Sequence, residues 1–455
     1  MGGFFYVKKL VATKLFLKKK SKLVRIKKNH PVSLTENLKK KLLYWSDQFE
    51  EVVWLDSNNN NSQNHSNYKA VLAVEAFTTI KTDYYQAFDK LEEYQSITND
   101  WLFGYLTYDL KNDVEPLTSN NFDSLYFPDM FFFQPKKIFL FTEAGVEIQY
   151  LNHVAEEIET DWNDILNQGL TPSKPKLKST KKILSRTSKA LYFKKLNKIL
   201  EHIYRGDIYE ANFCQEFYSE NSKIDPLKAY IHLNKISEPP FATFLKSGNL
   251  YALSASPERY ICKNQNTVIS QPIKGTAKRH SDTIEDEKLK IKLERDQKER
   301  SENIMITDLV RNDLSKFADK GSVKVTELCQ VYSFKQVHQM ISTVTCQVDK
   351  SLTAVNVLKE TFPMGSMTGA PKISAMTIIE ELEDSKRGLY SGSVGYFTPE
   401  GDMDFNVIIR SILYNSQKNY ISFSVGSAIT AKSIPENEYQ ECLIKAKAMR
   451  EALEN

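Results

Sequence analysis

LYSGSVGYFTPEGDMDFNVIIRSILYNSQKNYISFSV, residues 389–425, contains three runs of branched and aromatic residues separated by turn chemistry. Residues 389–397, 404–415 and 420–425 read as strands. Thr398-Pro399-Glu400-Gly401-Asp402 lies between the first two and is a hairpin signal, since proline presets φ and glycine supplies a positive one. Working outward, helices are expected over 189–205, 285–317, 372–383 and 435–453. Further strands are expected near 209–218, 250–262, 267–271 and 322–331. Strands and helices do not alternate regularly, so the expectation is an α+β fold on antiparallel sheets rather than a doubly wound one.

The N-terminal half carries its own strands. LTENLKKKLLYWSDQFEEVVWLD (34–56) reads as a helix running into a short strand, followed by the polar loop SNNNNSQNHSN at 57–67. YKAVLAVEAF (68–77) and MFFFQPKKIFLFTEAGVEIQYL (130–151) read as strands. Around 167–188 the chain turns to Pro, Ser and Lys, which marks a boundary. The expected division is a basic extension at 1–30, an N-terminal lobe at 31–170 and a C-terminal domain at 188–455.

Composition excludes several classes. Of 455 residues, 41% are hydrophobic and 26% charged, ordinary values for a soluble globular protein. No apolar run reaches the ~18 residues that a membrane span needs. The net charge is +4, but residues 1–30 hold ten Lys and Arg and no acid, which leaves the remainder at −6. That acidic body gives no footprint for nucleic acid. The basic head lacks the apolar core and cleavage site of a signal peptide and reads as a solvated tail. Five scattered cysteines (Cys214, Cys262, Cys329, Cys346, Cys442) form no C-x-x-C pair, which suits a reducing cytosol.

Four segments carry residues able to do chemistry. On the last helix, Ser433-Ile434-Pro435-Glu436 forms a capping box with proline in the first turn. Glu438, Glu441 and Lys445 share one face of that helix, and Cys442, Ala446, Met449 and Leu453 form the apolar one. In ERSENIMITDLVRNDL, Glu299 and Glu302 lie three apart, with Met305 and Leu309 continuing the face of Glu302. Two such helices offer carboxylates to one hard cation of the magnesium type, although a solvated charge stripe has the same spacing. In SQPIKGT (270–276) a tight turn places Lys274 beside apolar strands, where desolvation would lower its pKa and free a nucleophilic amine. GSMTGAPK (365–372) runs small residues into a helix N-terminus, a natural anion seat, without the order of a P-loop. His338 is a single histidine on a mixed face.

Taken in order, GDIYEANFCQ, SASPER, PIKGT, ERSENIMITDLVRNDL, VHQMIS, GSMTGAPK, YSGSVGYF, FNVIIRS and EYQECLIKA resemble the chorismate-utilising enzymes over about 190–455. The resemblance implies two antiparallel sheets forming a sandwich core with helices packed outside, and makes 188–455 the chorismate-binding catalytic domain. It implies Mg²⁺ as cofactor, with Glu302 and Glu441 as ligands and Glu299 and Glu438 as acids beside them. Arg410 and Lys445 match residues that hold substrate carboxylates. Gly275, Thr276, Ser366 and Thr368 match pocket-lining positions, with Tyr390 and Gly426 as further substrate contacts. Glu258 matches the acid that helps the C4 hydroxyl leave, and His338 the histidine near that end of the ring.

Within the family, PIKGT resembles the aminodeoxychorismate synthase branch, whereas anthranilate synthases read PIAGT. The implied route is attack of Lys274 on C2 with loss of the C4 hydroxyl. Ammonia then adds at C4 and expels the lysine. The segment IYEANFCQ has Glu210 and no lysine, unlike isochorismate and salicylate synthases. With no G-x-C-x-G elbow or H-x-E in the chain, ammonia is expected from a partner glutamine amidotransferase. Two features depart from the family: the glycine-rich turn before the last helix is Gly426-Ser427-Ala428-Ile429, and no LLES-type tryptophan motif is evident. The competing readings are an anthranilate synthase component I and a non-catalytic scaffold homologue.

Overall fold

The computed structural model describes residues 24–60, 67–169 and 182–454. Among them every pairing between strands is antiparallel, as the hairpin-rich sequence requires. One sheet runs Arg25–His30, Gly145–Leu151, Met130–Thr142, Ala70–Thr82, Glu51–Asp56, Phe241–Ser247, Leu250–Ser256, Ser411–Asn415, Tyr420–Thr430 and Glu210–Ser219. The long strand Met130–Thr142 also pairs with Leu102–Leu106 and so starts a second sheet. That sheet continues through Ser393–Phe397, Met403–Asn406, Arg259–Asn264, Thr267–Gln271 and Val337–Gln347. Ile273–Lys278 and Lys324–Ser333 both pair with Val337–Gln347.

Alternation along the strands of the first sheet builds two cores. Val53, Val71 and Leu245 point into a core shared with the second sheet, while Trp54, Leu72 and Phe244 point into a core beneath the outer helices. Those helices include Glu36–Ser46, Lys189–Arg205, Pro226–Ser237 and Pro435–Glu454, which send Leu42, Leu196, Leu233 and Met449 into it. The result is the expected α+β sandwich with helices outside and no closed barrel. No helix among the described residues is long and apolar enough to cross a membrane.

Several expectations need correction. The stretches 31–170 and 188–455 share sheets, since Glu51–Asp56 pairs with Phe241–Ser247 and Leu102–Leu106 with Ser393–Phe397. Most of the basic head and most of the 167–188 boundary lie outside the described residues. The single helix expected over 285–317 is two, Thr283–Arg295 and Gln297–Ser315. Asp296 between them is extended, and its carboxylate accepts hydrogen bonds from the N–H groups of Lys298 and Glu299 at 2.9 and 3.0 Å. A capping aspartate thus restarts the helix where periodicity alone ran on.

The strand expected over 404–415 also breaks. Val407 and Ile408 donate to the carbonyls of Glu258 and Gly392, which leaves Arg410 at φ +51° before Ser411–Asn415 begins. Ser433 does not cap the last helix: its hydroxyl accepts from the Thr430 N–H and Glu436 pairs with Lys189. Gly426-Ser427-Ala428-Ile429 is not a turn but part of the strand Tyr420–Thr430, in register with Ala211–Cys214.

Candidate functional site

Lys274 lies on Ile273–Lys278, and its side chain is 12% exposed. Its Nζ is 2.9 Å from Oε1 of Glu210, a fully buried residue at the start of Glu210–Ser219. Glu210 Oε2 is buried and has no hydrogen-bond partner among the described residues. Burial pulls the lysine pKa down, but Glu210, then Glu302 and Glu258, outweigh it and hold the amine above its ordinary value. The expected lowering is therefore overturned: three carboxylates compensate the desolvation, and the resting amine is an ammonium ion. Gly275 follows at φ +96°, where an added Cβ would sit 3.2 Å from the Glu299 side chain and from Met340. Thr276 is exposed.

Glu258 stands in the bend between Leu250–Ser256 and Arg259–Asn264 and is 4% exposed. Burial pushes its carboxyl up to about 7, against a hydrogen bond from Ser366 and the charges of Lys274 and Arg410. Near neutral pH it therefore holds a proton in a substantial fraction of molecules, as a general acid must. The guanidinium of Arg410 makes no hydrogen bond or ion pair with any described residue. Burial pulls its pKa below the ordinary value, opposed by Glu258. A guanidinium left without a hydrogen-bond or ion-pair partner among the described residues, at a left-handed φ, has the chemistry to take a carboxylate.

Ser366 and Thr368 come from the loop ahead of the helix Lys372–Leu382. Both are buried. Thr368 Oγ1 donates to the Gly365 carbonyl at 3.0 Å, and the Thr368 carbonyl accepts from the Asn212 N–H at 2.8 Å. Lys372 turns its amine to Asp313 at 2.6 Å and to the carbonyls of Thr361 and Pro363, fastening this loop to the helix Gln297–Ser315.

The two acidic helices are linked through Lys298, which reaches carboxylates on both. Glu302 and Glu438 are buried and Glu299 and Glu441 half-buried. Glu302 Oε1 has no hydrogen-bond partner among the described residues. Burial raises the Glu302 carboxyl to about 7, with Glu210 and Glu299 adding to the shift and Lys274 and Lys298 opposing it. Lys298 stands between the helices, its Nζ 3.7 Å from Glu302 and 3.8 Å from Glu438. Lys445 pairs with Glu441 at 2.6 Å and donates to the Gly426 carbonyl at 2.9 Å. Among the described residues no three Asp, Glu, His or Cys side chains close into a metal cage. The orphaned buried oxygen of Glu302 and the hard donor set nevertheless fit magnesium, which completes its shell with water and substrate oxygens.

His338, Tyr390 and Gly426 make their closest contacts with other side chains. His338 is buried, with Nδ1 2.8 Å from Ser333 Oγ and Nε2 3.1 Å from Asp286, so both ring nitrogens are engaged. No hydrogen bond or ion pair joins it to Lys274 or Glu258. Tyr390 is buried with its hydroxyl 3.8 Å from Cys214 Sγ, and a Cβ on Gly426 would meet that same sulfur at 2.6 Å. Both residues thus pack on Cys214, whose thiol burial pushes up to about 12. Sequence reasoning missed Glu210 and Lys298 as members of the site. The first was read only as an absent lysine; the second sits four residues before Glu302, a visible helical neighbour.

A model of the chorismate binding enzymes matches residues 31–451. The chain is 40% identical over 270 residues to the aminodeoxychorismate synthase component 1 of Escherichia coli, covering 59% of each protein. It is 41% identical over 271 residues to a probable chloroplastic aminodeoxychorismate synthase of Oryza sativa, covering 59% of this chain and 30% of that protein. The matched stretch thus spans less than two thirds of either relative. In three dimensions it is similar to the anthranilate synthase component I of Streptococcus pneumoniae, with a TM-score of 0.73 and 27% identity over 83% of this chain and 91% of that one.

Proposed function

The chain belongs to the chorismate binding enzymes, and from that premise we propose that it is an aminodeoxychorismate synthase component I. It converts chorismate and ammonia to 4-amino-4-deoxychorismate, the precursor of 4-aminobenzoate and folate. The observation that carries the reading is Lys274, whose amine lies 2.9 Å from a buried carboxylate and within the field of Glu258 and Glu302. About 40% identity to a relative of that name supports the same branch.

The chemistry follows from these side chains. Arg410 binds a carboxylate of chorismate. Magnesium held by Glu302 and Glu441, with Glu299 and Glu438 beside them, would neutralise and polarise the ring carboxylate. The Lys274 ammonium passes a proton to Glu210, and the free amine attacks C2. The ring double bonds shift, the C4–O bond breaks, and protonated Glu258 gives the leaving hydroxyl its proton, so that water departs. Ammonia then attacks C4, the C2–N bond breaks, and its electron pair returns to the lysine nitrogen. Glu258 takes the surplus proton from the new C4 ammonium, and Glu210 returns its own to Lys274. Each group ends as it began.

Ammonia reaches the site from a partner glutamine amidotransferase, and the enzyme works in the cytoplasm. The test is a product assay with purified chain, chorismate, ammonium and Mg²⁺, with and without aminodeoxychorismate lyase. Lyase-dependent 4-aminobenzoate is expected. Fluorescent anthranilate formed without lyase would instead assign the chain to tryptophan synthesis.

A further inference from the structure

We infer that Lys298 is a built-in counter-ion of the cation site: its ammonium stands in for the divalent ion and must swing aside when the ion binds. The inference rests on the proposed reading of these glutamates as a magnesium seat.

The argument begins with what burial demands. Glu302 and Glu438 come from different helices, are 8% and 3% exposed, and would repel one another if both were ionised without a cation between them. Lys298 supplies that cation at 3.7 and 3.8 Å, too far for hydrogen bonds and nearly equidistant from the two carboxylates. Glu302 Oε1 stays without a hydrogen-bond partner among the described residues despite it. A small hard ion at about 2.1 Å would satisfy that oxygen far better. Lys298 is also able to leave. It is rooted in the first turn of Gln297–Ser315, with its backbone N–H fixed by Asp296, while its flexible side chain is 40% exposed. Lys274 is pinned to Glu210, and Lys445 to Glu441 and the Gly426 carbonyl, so each is committed elsewhere.

A placeholder of this kind weakens cation binding, because the ion must displace a charge already present. Lys298→Met keeps the stem and removes the charge. The full-length protein is titrated with Mn²⁺ as the magnesium surrogate, without chorismate, and free Mn²⁺ is read by its EPR signal. Lys298→Met should bind about tenfold more tightly than the wild type, a partial release of the repulsion at this distance after solvent screening. Lys298→Arg should return affinity toward the wild-type value. Unchanged or weaker Mn²⁺ binding by Lys298→Met, beside measurable wild-type binding, would overturn the placeholder and leave the metal seat standing. Binding by neither protein would overturn both.

Discussion

Buried charge is handled in opposite ways in two regions of this protein. In the N-terminal part each buried cation is matched. Lys39 lies 2.9 Å from Asp56, Arg25 2.8 Å from Asp100, Lys137 2.7 Å from Asp161, and Lys111 contacts both Asp109 and Glu380. Around Lys274 the matching is incomplete: Arg410 has no ionic partner among the described residues, and Glu302 Oε1, with Lys298 no nearer than 3.7 Å, keeps no hydrogen-bond partner there. Both regions belong to one antiparallel scaffold, so the difference is not one of fold. A charge that the protein desolvates without pairing costs stability, and the region that tolerates such charges is the one built for ligands.

Four changes would break or sharpen that contrast. The largest effect is expected from Lys274→Ala, which removes the nucleophile. Aminodeoxychorismate formation should fall by about a thousandfold in the lyase-coupled assay, and near-normal turnover would end the covalent route. Next comes Lys111→Met, which leaves Asp109 buried beside an empty place. Denaturant unfolding should show a loss of roughly 3 kcal/mol, with turnover per folded molecule unchanged.

Arg410→Met should do the reverse. KM for chorismate should rise on the order of 30-fold, about 2 kcal/mol, while the melting temperature holds or increases because an unpaired cation is gone. A clear loss of stability would mean that Arg410 has a structural partner after all.

The smallest effect concerns pH. Glu258 titrates near 7 in the folded protein against about 4.5 as an ordinary glutamate, so the folded state holds the extra proton between those values. Its contribution is therefore lost as pH rises from about 4.5 to 7, by up to roughly 1 kcal/mol per pH unit. Glu258→Gln should flatten that slope in unfolding titrations, and turnover of the wild type should decline above pH 7 as the acid loses its proton. Parallel stability profiles of the two proteins would contradict the raised pKa.

Much of the site was legible in the sequence because its residues lie on regular elements. Glu299 with Glu302, and Glu438 with Glu441, follow helical spacing, and Lys298 bridges the two helices. Lys274 was expected at the tip of a tight turn but lies within the strand Ile273–Lys278, and its charge state was not legible. Spacing gives no account of Glu210, which arrives from a strand 64 positions earlier. His338 shows the converse limit, since nothing local announced Asp286 and Ser333 as its partners. Arg410 was legible by its motif, whereas its unpaired state required every neighbour to be in place.

What the sequence determined by itself was class and inventory. Branched runs, turn residues and helical periods are local, and they sufficed for an antiparallel α+β fold; the family resemblance added Glu258 and Arg410, and neither route pointed to Glu210 or Lys298. The tertiary structure decided the interleaving of the two halves on shared strands, the helix break at Asp296, and which charges are paired. These depend on contacts between distant segments and on the loss of water around them. A side chain's charge state and free valence are properties of its surroundings, which exist only once the chain has folded.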